Sequence, residues 1–436
     1  MAIGGGTFIA QNKILPGTYI NFISAASASV ALSDRGHAAM AMPLPWGPCG
    51  EIITVTGEDL VRNSRTLFGR EYSHPELRPL RELFTGARVA HLFRLGAAGA
   101  RAHCVLATAL HPGVLGNQIA LVVTPAGDGF GVETLVDGIG ADYQTAASME
   151  ELRDNAFVSF DRTQTLAPTA GMPLTGGTDG VPTNEEYGRF LELSEQVSFN
   201  TMGCIAADDT VKGMFARHTK RMREELGVKF QCVLYRCTEA DYEGVISVEN
   251  AVVEGGVLTA PSSLVYWVTG MSAGCPVNRS LTNRRYTGAY TVDTTHTRQE
   301  LEQGRKNGSF FFHGAGRGDV RVVEDVNTLT TFTADRSADF SLNQTVRVLD
   351  QVAADTAGLF ADRYLGIIPN DEAGRISLWS DIVSHHRRLE TIRAIEDFEP
   401  EDIIVEPGET KQSVVVTGRI TPVTAMSQLY MTVVVW

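Results

Sequence analysis

The stretch Gly270-Met271-Ser272-Ala273-Gly274 has the G-x-S-x-G spacing of a nucleophile elbow. In an elbow, a tight strand-to-helix turn lifts a serine hydroxyl to the top of a sheet. The apolar run from Leu258 to Val268 reads as the strand that must come before it. The residues behind it fit less well. Cys275-Pro276-Val277-Asn278-Arg279 is a poor helix start, and Ser280 to Asn283 reads as loop. A triad also needs an Asp and a His on separate downstream loops. Asp293 and His296 are too close together for that, while Asp350 and His385 or His386 fall inside predicted helices. A serine hydrolase built on Ser272 is kept only as a distant alternative, and no catalytic residue is assigned.

Other candidates carry less chemistry. Gly176-Gly177-Thr178-Asp179-Gly180 is glycine-rich enough to cradle phosphate, but it lacks a P-loop lysine and dinucleotide-fingerprint spacing. It reads as a connection between domains. His313 has no partner near it in sequence. His385-His386 stands beside Arg387 and Arg388 and reads as a solvated or interface surface. Cys49, Cys104, Cys204, Cys232, Cys237 and Cys275 form no C-x-x-C pair, no histidine cluster completes a zinc spacing, and reduced packing thiols are expected. The expectation is no metal, no cofactor and no enzyme.

The elements that would position these residues follow from pattern and caps. Thr56 with Asp59 opens a helix bearing Leu60, Val61, Leu67 and Phe68, and Pro75 opens a second. Arg88 to Leu95 reads as a strand. Ala97 to Ala170 reads as an inserted, mostly β domain, with short strands at His103–Ala109, Gln118–Pro125 and Phe130–Val136 separated by Gly-rich turns. From there strand and helix alternate, as in a layered sheet with helices packed on it. Asn184 caps a helix; Met202–Ala207 and Phe230–Tyr235 are strands; Asp208 and Asp209 open a helix with Val211, Phe215, His218, Met222 and Leu226 inward. Later helices are expected at about Arg298–Lys306, Phe340–Tyr364 and Ile376–Ile395, and strands at Val320–Val323, Asp402–Val405 and Ser413–Ile420. The fold class is mixed α/β, or α+β, and multidomain. Its parts are an arm at 1–20, an α+β region at 21–96, the β insertion at 97–170, an α/β core at 171–398 and a β region at 399–436.

Both ends are unusual. The chain finishes on Ser427-Gln428-Leu429-Tyr430-Met431-Thr432-Val433-Val434-Val435-Trp436, a strand pattern with two apolar faces and no charge or proline to blunt it. It is either the central strand of the chain's own sheet or a strand that pairs with another subunit. At the other end, Gly4-Gly5-Gly6 leads to Phe8 and Ile9, the turn Pro16-Gly17, and the alternating Tyr19-Ile20-Asn21-Phe22-Ile23. Such a segment should dock on its own domain or on a neighbour. A formal net charge of -14 over 436 residues, with no basic run, argues against direct nucleic-acid binding. No apolar run reaches bilayer-spanning length and no signal-peptide pattern opens the chain, so a protein made in a cytosol, or released from one by lysis, is expected.

Taken together, the chain resembles contractile tail sheath proteins of phages and phage-derived particles over nearly its full length. The resemblance is carried by Gly4-Gly5-Gly6, Gln11-Asn12-Lys13 and Pro16-Gly17-Thr18-Tyr19-Ile20-Asn21-Phe22; by Leu174 to Gly180; by Trp267-Val268-Thr269-Gly270, Ala273-Gly274 and Ser280-Leu281-Thr282-Asn283; by Asp325-Val326-Asn327-Thr328-Leu329-Thr330, Arg347-Val348-Leu349-Asp350 and Tyr364-Leu365-Gly366; and by Leu429-Tyr430-Met431-Thr432. Val326 and Thr269 stand where the family pattern has Ile and Ala, and the insertion matches least. The resemblance implies hexameric rings stacked helically around a tail tube, with baseplate and tail terminator proteins as further partners, and contraction that drives the tube through an envelope. It implies a virion tail or tail-like particle assembled in a bacterial host's cytoplasm and released by lysis. The terminal extensions would add strands to neighbouring subunits, placing Phe8, Ile9, Tyr19, Ile20, Phe22, Leu429, Tyr430, Thr432, Val434 and Trp436 at intersubunit contacts. A non-contractile ring- or tube-forming protein of a tail or secretion machine remains the alternative.

Overall fold

The computed structural model describes residues 32–436 except 256, 259 and 317, together with the backbone of the two-residue strands Gly5–Gly6 and Thr18–Tyr19. Phe8, Ile9, Ile20, Phe22 and the side chain of Tyr19 lie outside the described residues. From His37 onward the principal strands are β1 (His37–Met42), β2 (Ile52–Thr56), β3 (Val89–Arg94), β4 (Ile119–Ala126), β5 (Gly129–Val136), β6 (Ile139–Ala146), β7 (Thr169–Pro173), β8 (Thr201–Cys204), β9 (Gln231–Tyr235), β10 (Val245–Val248), β11 (Ser309–Phe310), β12 (Ile395–Glu396), β13 (Ile403–Pro407), β14 (Val414–Gly418) and β15 (Thr421–Pro422). The helices are α1 (Gly57–Arg62), α2 (Ser64–Phe68), α3 (Arg78–Leu83), α4 (Asn184–Ser194), α5 (Asp209–Glu224), α6 (Leu264–Gly274), α7 (Arg298–Lys306), α8 (Asn343–Arg363) and α9 (Glu372–Thr391).

A seven-stranded sheet in the order β11-β10-β9-β8-β1-β3-β2 is the centre of the molecule. Its strands are parallel except for the antiparallel edge pair β2–β3. Strands from residues 37–94 and from residues 201–310 therefore share one sheet. Both faces are covered, which is why its strands read as continuous apolar runs rather than alternating ones. In β1 the alternation survives as a choice of partner. Ala38, Met40 and Met42 pack with Leu83 and Trp267 on one face, while Ala39 and Ala41 pack with Phe190 and Phe215 on the other.

Local signals set several helix starts. Thr56 and Asp59 form the expected capping box on α1. On α4 the box is made by Thr183 and Glu186, one residue ahead of the expected Asn184. Val61 and Leu226, expected inward, are exposed at 58% and 53%.

The elbow reading does not survive. Leu258–Val268 is not one strand: from Leu264 the chain is helical, and α6 runs through Ser272 to Gly274. This helix is buried almost all round, so it shows no polar period by which to recognise it. Its glycines serve packing. A Cβ at Gly270 would collide with the Leu83 carbonyl oxygen, and one at Gly274 with that of Gly86. The i, i+4 spacing thus puts two bare helix positions against the end of α3.

The insertion has its own antiparallel sheet, in the order β7-β4-β5-β6, and a core that includes Trp46, Leu121, Val123, Phe157 and Phe160. It joins the rest through a glycine neck. A Cβ at Gly180 would strike the Gly96 carbonyl, and Gly96 adopts φ +89°. Gly177, Thr178 and Asp179 are engaged in holding this neck. Asp179 Oδ1 accepts from the Val114 N–H at 2.9 Å, and Thr178 Oγ1 accepts from the Ala100 N–H at 3.0 Å. Asn117 and Gly177 exchange two hydrogen bonds of 2.8 Å.

The C-terminal region packs α8, α9 and the β13–β14 hairpin around Leu359, Leu378, Ile382, Leu389 and Phe398. His385 and His386 are not a solvated surface; they are 2% and 3% exposed. His385 Nε2 lies 2.8 Å from Asp355 Oδ2, and His386 stacks on Phe398 with its Nδ1 2.9 Å from the Ile382 carbonyl. Helical periodicity points both rings inward while Arg387 faces out.

Two outcomes follow. Gly270→Val should destabilise the fold by about 3 kcal/mol or more, because the collision is with backbone that cannot rotate away; urea unfolding of the purified chain measures this. His218 is pushed down to about 4, by burial first and then by the Arg221 charge. Its folded value lies below its ordinary 6.5, so the unfolded chain binds the proton first. Stability should therefore fall as pH drops from 6.5 toward 4, and His218→Leu should flatten that part of the curve.

Candidate assembly interface

Among the described residues, no group of His, Cys, Asp and Glu could hold a metal ion, and no helix is long and apolar enough to cross a membrane. Ser272 is 1% exposed, and its Oγ has no hydrogen-bond partner among the described residues. A hydroxyl enclosed in a helix, with neither base nor access, cannot act as a nucleophile.

What stands out is the C-terminus. Ser427–Trp436 forms no strand with any of the described residues, which removes the reading of it as the central strand of the chain's own sheet. The path leaves the body after β15, which pairs with β12, and after the Val423 N–H donates to the Ala394 carbonyl at 2.9 Å. Beyond that, Met426, Leu429, Tyr430 and Trp436 are exposed at 101%, 86%, 87% and 109%. Val433, Val434 and Val435 are exposed at 69%, 71% and 89%. A run of exposed large apolar side chains marks an interaction surface.

An open strand edge and a groove lie on the same domain. β13 and β14 pair with each other through five register positions and with no other strand among the described residues. A lone two-stranded hairpin is marginal in water, and its outer edge leaves backbone donors and acceptors open to a further strand. Val415 and Val416 on β14 are exposed at 49% and 39%. Between the hairpin and helices α8 and α9 lies a groove of about 600 Å³, lined by Val352, Phe360, Ile382, Val414, Val416 and Ile420 among others. Backbone edge and apolar groove are the two things strand addition needs, one for affinity and one for side-chain choice.

The N-terminal segment joins the body nearby. Arg35 Nε donates to the Cys275 carbonyl at 2.9 Å and Arg35 Nη2 to that of Ser272 at 3.3 Å. Burial, followed by the nearby Arg347 charge, pulls the Arg35 pKa down to about 10. Sequence reasoning singled out the tail residues but missed their surroundings. Gln344, Gln351 and Asp355, buried on α8, touch the roots of both ends. Polar residues at those positions ordinarily signal a solvated face, so no periodicity could have found them.

The comparisons agree with this architecture. Three family models match the chain: the phage tail sheath protein central domain over residues 180–328, the phage tail sheath C-terminal domain over 335–436, and the tail sheath protein Gp18 domain III N-terminal region over 35–95. The Phage-like element PBSX protein XkdK of Bacillus subtilis (strain 168) is 32% identical, covering 99% of each chain. The sheath tail protein from Desulfitobacterium hafniense superposes with a TM-score of 0.82 at 35% identity, covering 93% of this chain and 96% of that one. The sheath tail protein from Listeria innocua superposes with a TM-score of 0.78 at 29% identity, covering 92% and 94%. The fold extends to the anti-feeding prophage helical sheath in its contracted state, at TM-score 0.59 and 14% identity over 97% of this chain and 99% of that one. The chain belongs to the contractile tail sheath family. It is a tail sheath structural protein.

Ser272→Ala should leave stability unchanged or raise it by up to about 1 kcal/mol, because it removes a buried hydroxyl that has no partner. A fluorophosphonate probe should leave the native chain unlabelled; labelling at Ser272 would restore the hydrolase alternative.

Proposed function

We propose that this subunit builds stacked hexameric rings around a tail tube and drives that tube through a target envelope when the stack contracts. The single observation carrying this reading is the exposed, largely apolar segment Met426–Trp436 on a chain that also carries an open hairpin edge and groove. In a stack of identical subunits, one copy's tail meets the next copy's hairpin. Leu429, Tyr430, Thr432, Val434 and Trp436 then lie at the intersubunit contact, with Phe8, Ile9, Tyr19, Ile20 and Phe22 of the other arm in a like role. Alternate residues enter the groove, and each buried side chain contributes roughly 1.5–3 kcal/mol before ordering costs. Several such links per subunit hold the lattice through effective concentration.

Contraction in this reading is a rigid-body change between two packings of the subunit bodies, with the arms keeping neighbours tethered. The extended state is held by a barrier rather than by being the free-energy minimum. Tail tube, baseplate and tail terminator proteins are the partners. The particle is a phage tail or a tail-like device, assembled in a bacterial cytoplasm and released by lysis.

Val434→Asp and deletion of 428–436 test this. Both variants should stay soluble with an unchanged unfolding midpoint, because the residues are exposed in the single chain. Val434→Asp should raise the concentration needed for tube formation roughly 10- to 100-fold, the equivalent of one lost buried side chain. The deletion should abolish tubes in negative-stain electron microscopy. Normal tubes from the deleted chain would remove the tail from the assembly mechanism.

A further inference from the structure

Helix α8 carries an unusual number of buried polar groups. Gln344, Arg347, Asp350, Gln351 and Asp355 are 4%, 1%, 8%, 3% and 7% exposed. Burying such groups is costly unless they are partnered. Their partners have a pattern. The middle pair fastens the helix to the central sheet region: Arg223 holds Asp350 with bonds of 2.7 and 2.8 Å, and Arg347 holds Asp325 at 2.6 Å. The outer residues hold the two chain ends.

At the N-terminal end of α8, Gln344 Nε2 donates to the Val423 carbonyl at 3.0 Å, and Gln344 Oε1 accepts from the Ala425 N–H at 3.0 Å. One amide side chain thus grips the C-terminal segment at two points, one residue before its exposed stretch begins. Two turns along the same face, Gln351 Nε2 donates to Ser33 Oγ at 2.7 Å, and Asp355 Oδ1 accepts from the Ser33 N–H at 3.1 Å. Asp355 is oriented in turn by Gln351 at 2.9 Å and by His385. Seven residues of helix set the two grips about 10 Å apart on a rigid rod.

We propose that α8 is a tie bar: Gln344 anchors the root of the C-terminal arm, Gln351 and Asp355 anchor the root of the N-terminal arm, and load on one arm passes along this helix to the other. This rests on reading both ends as intersubunit arms. The C-terminal arm pivots outside its grip, beyond Ala425. Asp350 and Arg347, between the two grips, hold the helix to the body, so subunit bodies can reorient while the spacing of the grips is kept. Gln344, Gln351 and Asp355 are positioning residues in this scheme.

The first arm of the test uses the isolated full-length subunit and residue-resolved hydrogen exchange. The amides of Ala425 and Ser33 should exchange at least tenfold more slowly than those of Leu429 to Val435. Gln344→Leu should remove the protection at Ala425 and leave that at Ser33 unchanged. An Ala425 amide as fast as that of Val434 in the native chain overturns the anchor. The second arm offers tail tube and baseplate. Gln344→Leu subunits should build extended sheaths that shed rings on contraction. Ala425→Pro, which removes the donor without touching the helix, should do the same. Intact contraction by both variants overturns the tie bar. Native subunits that show the exchange pattern but never form tubes would support the anchors and defeat the sheath reading alone.

Discussion

The buried pairs Arg223–Asp350 and Arg347–Asp325 are the constraint on which the rest of this subunit depends. They bring α8, and with it the whole C-terminal region, against a sheet made from distant parts of the chain. Neither pair adds much compared with apolar residues of like shape, but losing one partner would strand a charge at a cost of about 3–5 kcal/mol. Such pairs therefore act less as glue than as a register, allowing one seating of the helix and no other. The arm roots, the hairpin and the groove all take their positions from that seating.

The elements that sequence reading recovered are those whose identity is stated locally. Thr56 with Asp59 declares a helix start, and β8 and β9, short and apolar, declare buried strands. Its failures have a common cause, which is burial on every side. Leu264 to Val268 offered only large apolar and aromatic residues, and a fully enclosed helix and a fully enclosed strand look alike when neither shows a polar face. His385 and His386 failed in the opposite direction. Two arginines beside them suggested solvent, but a helix separates adjacent residues by a quarter turn or more, so charge at 387 says little about 385.

The assembly interface was legible in part. The two apolar faces of Leu429 to Trp436 are visible in the sequence, but whether they pair inside or outside the chain is a question of topology that no local pattern answers. Its anchors on α8 were invisible, because polar residues inside a helix are read as its wet side. The G-x-S-x-G stretch shows the same limit in reverse. Spacing that suits an exposed nucleophile also suits two helix positions stripped of side chains so that another backbone can approach, and only the surroundings separate the two.

The glycine neck between the sheet and the insertion has a consequence for how such subunits diversify. The chain leaves at Gly96 and returns at Gly180, where the two backbones touch, and the insertion brings a core of its own. Trp46, Arg65, Arg70 and Arg94 also reach into it from the rest of the chain. A replacement module must therefore bring its two ends equally close and match those four contacts. Such an exchange leaves α8 and both arm roots untouched, so the insertion can change within the limits those contacts set.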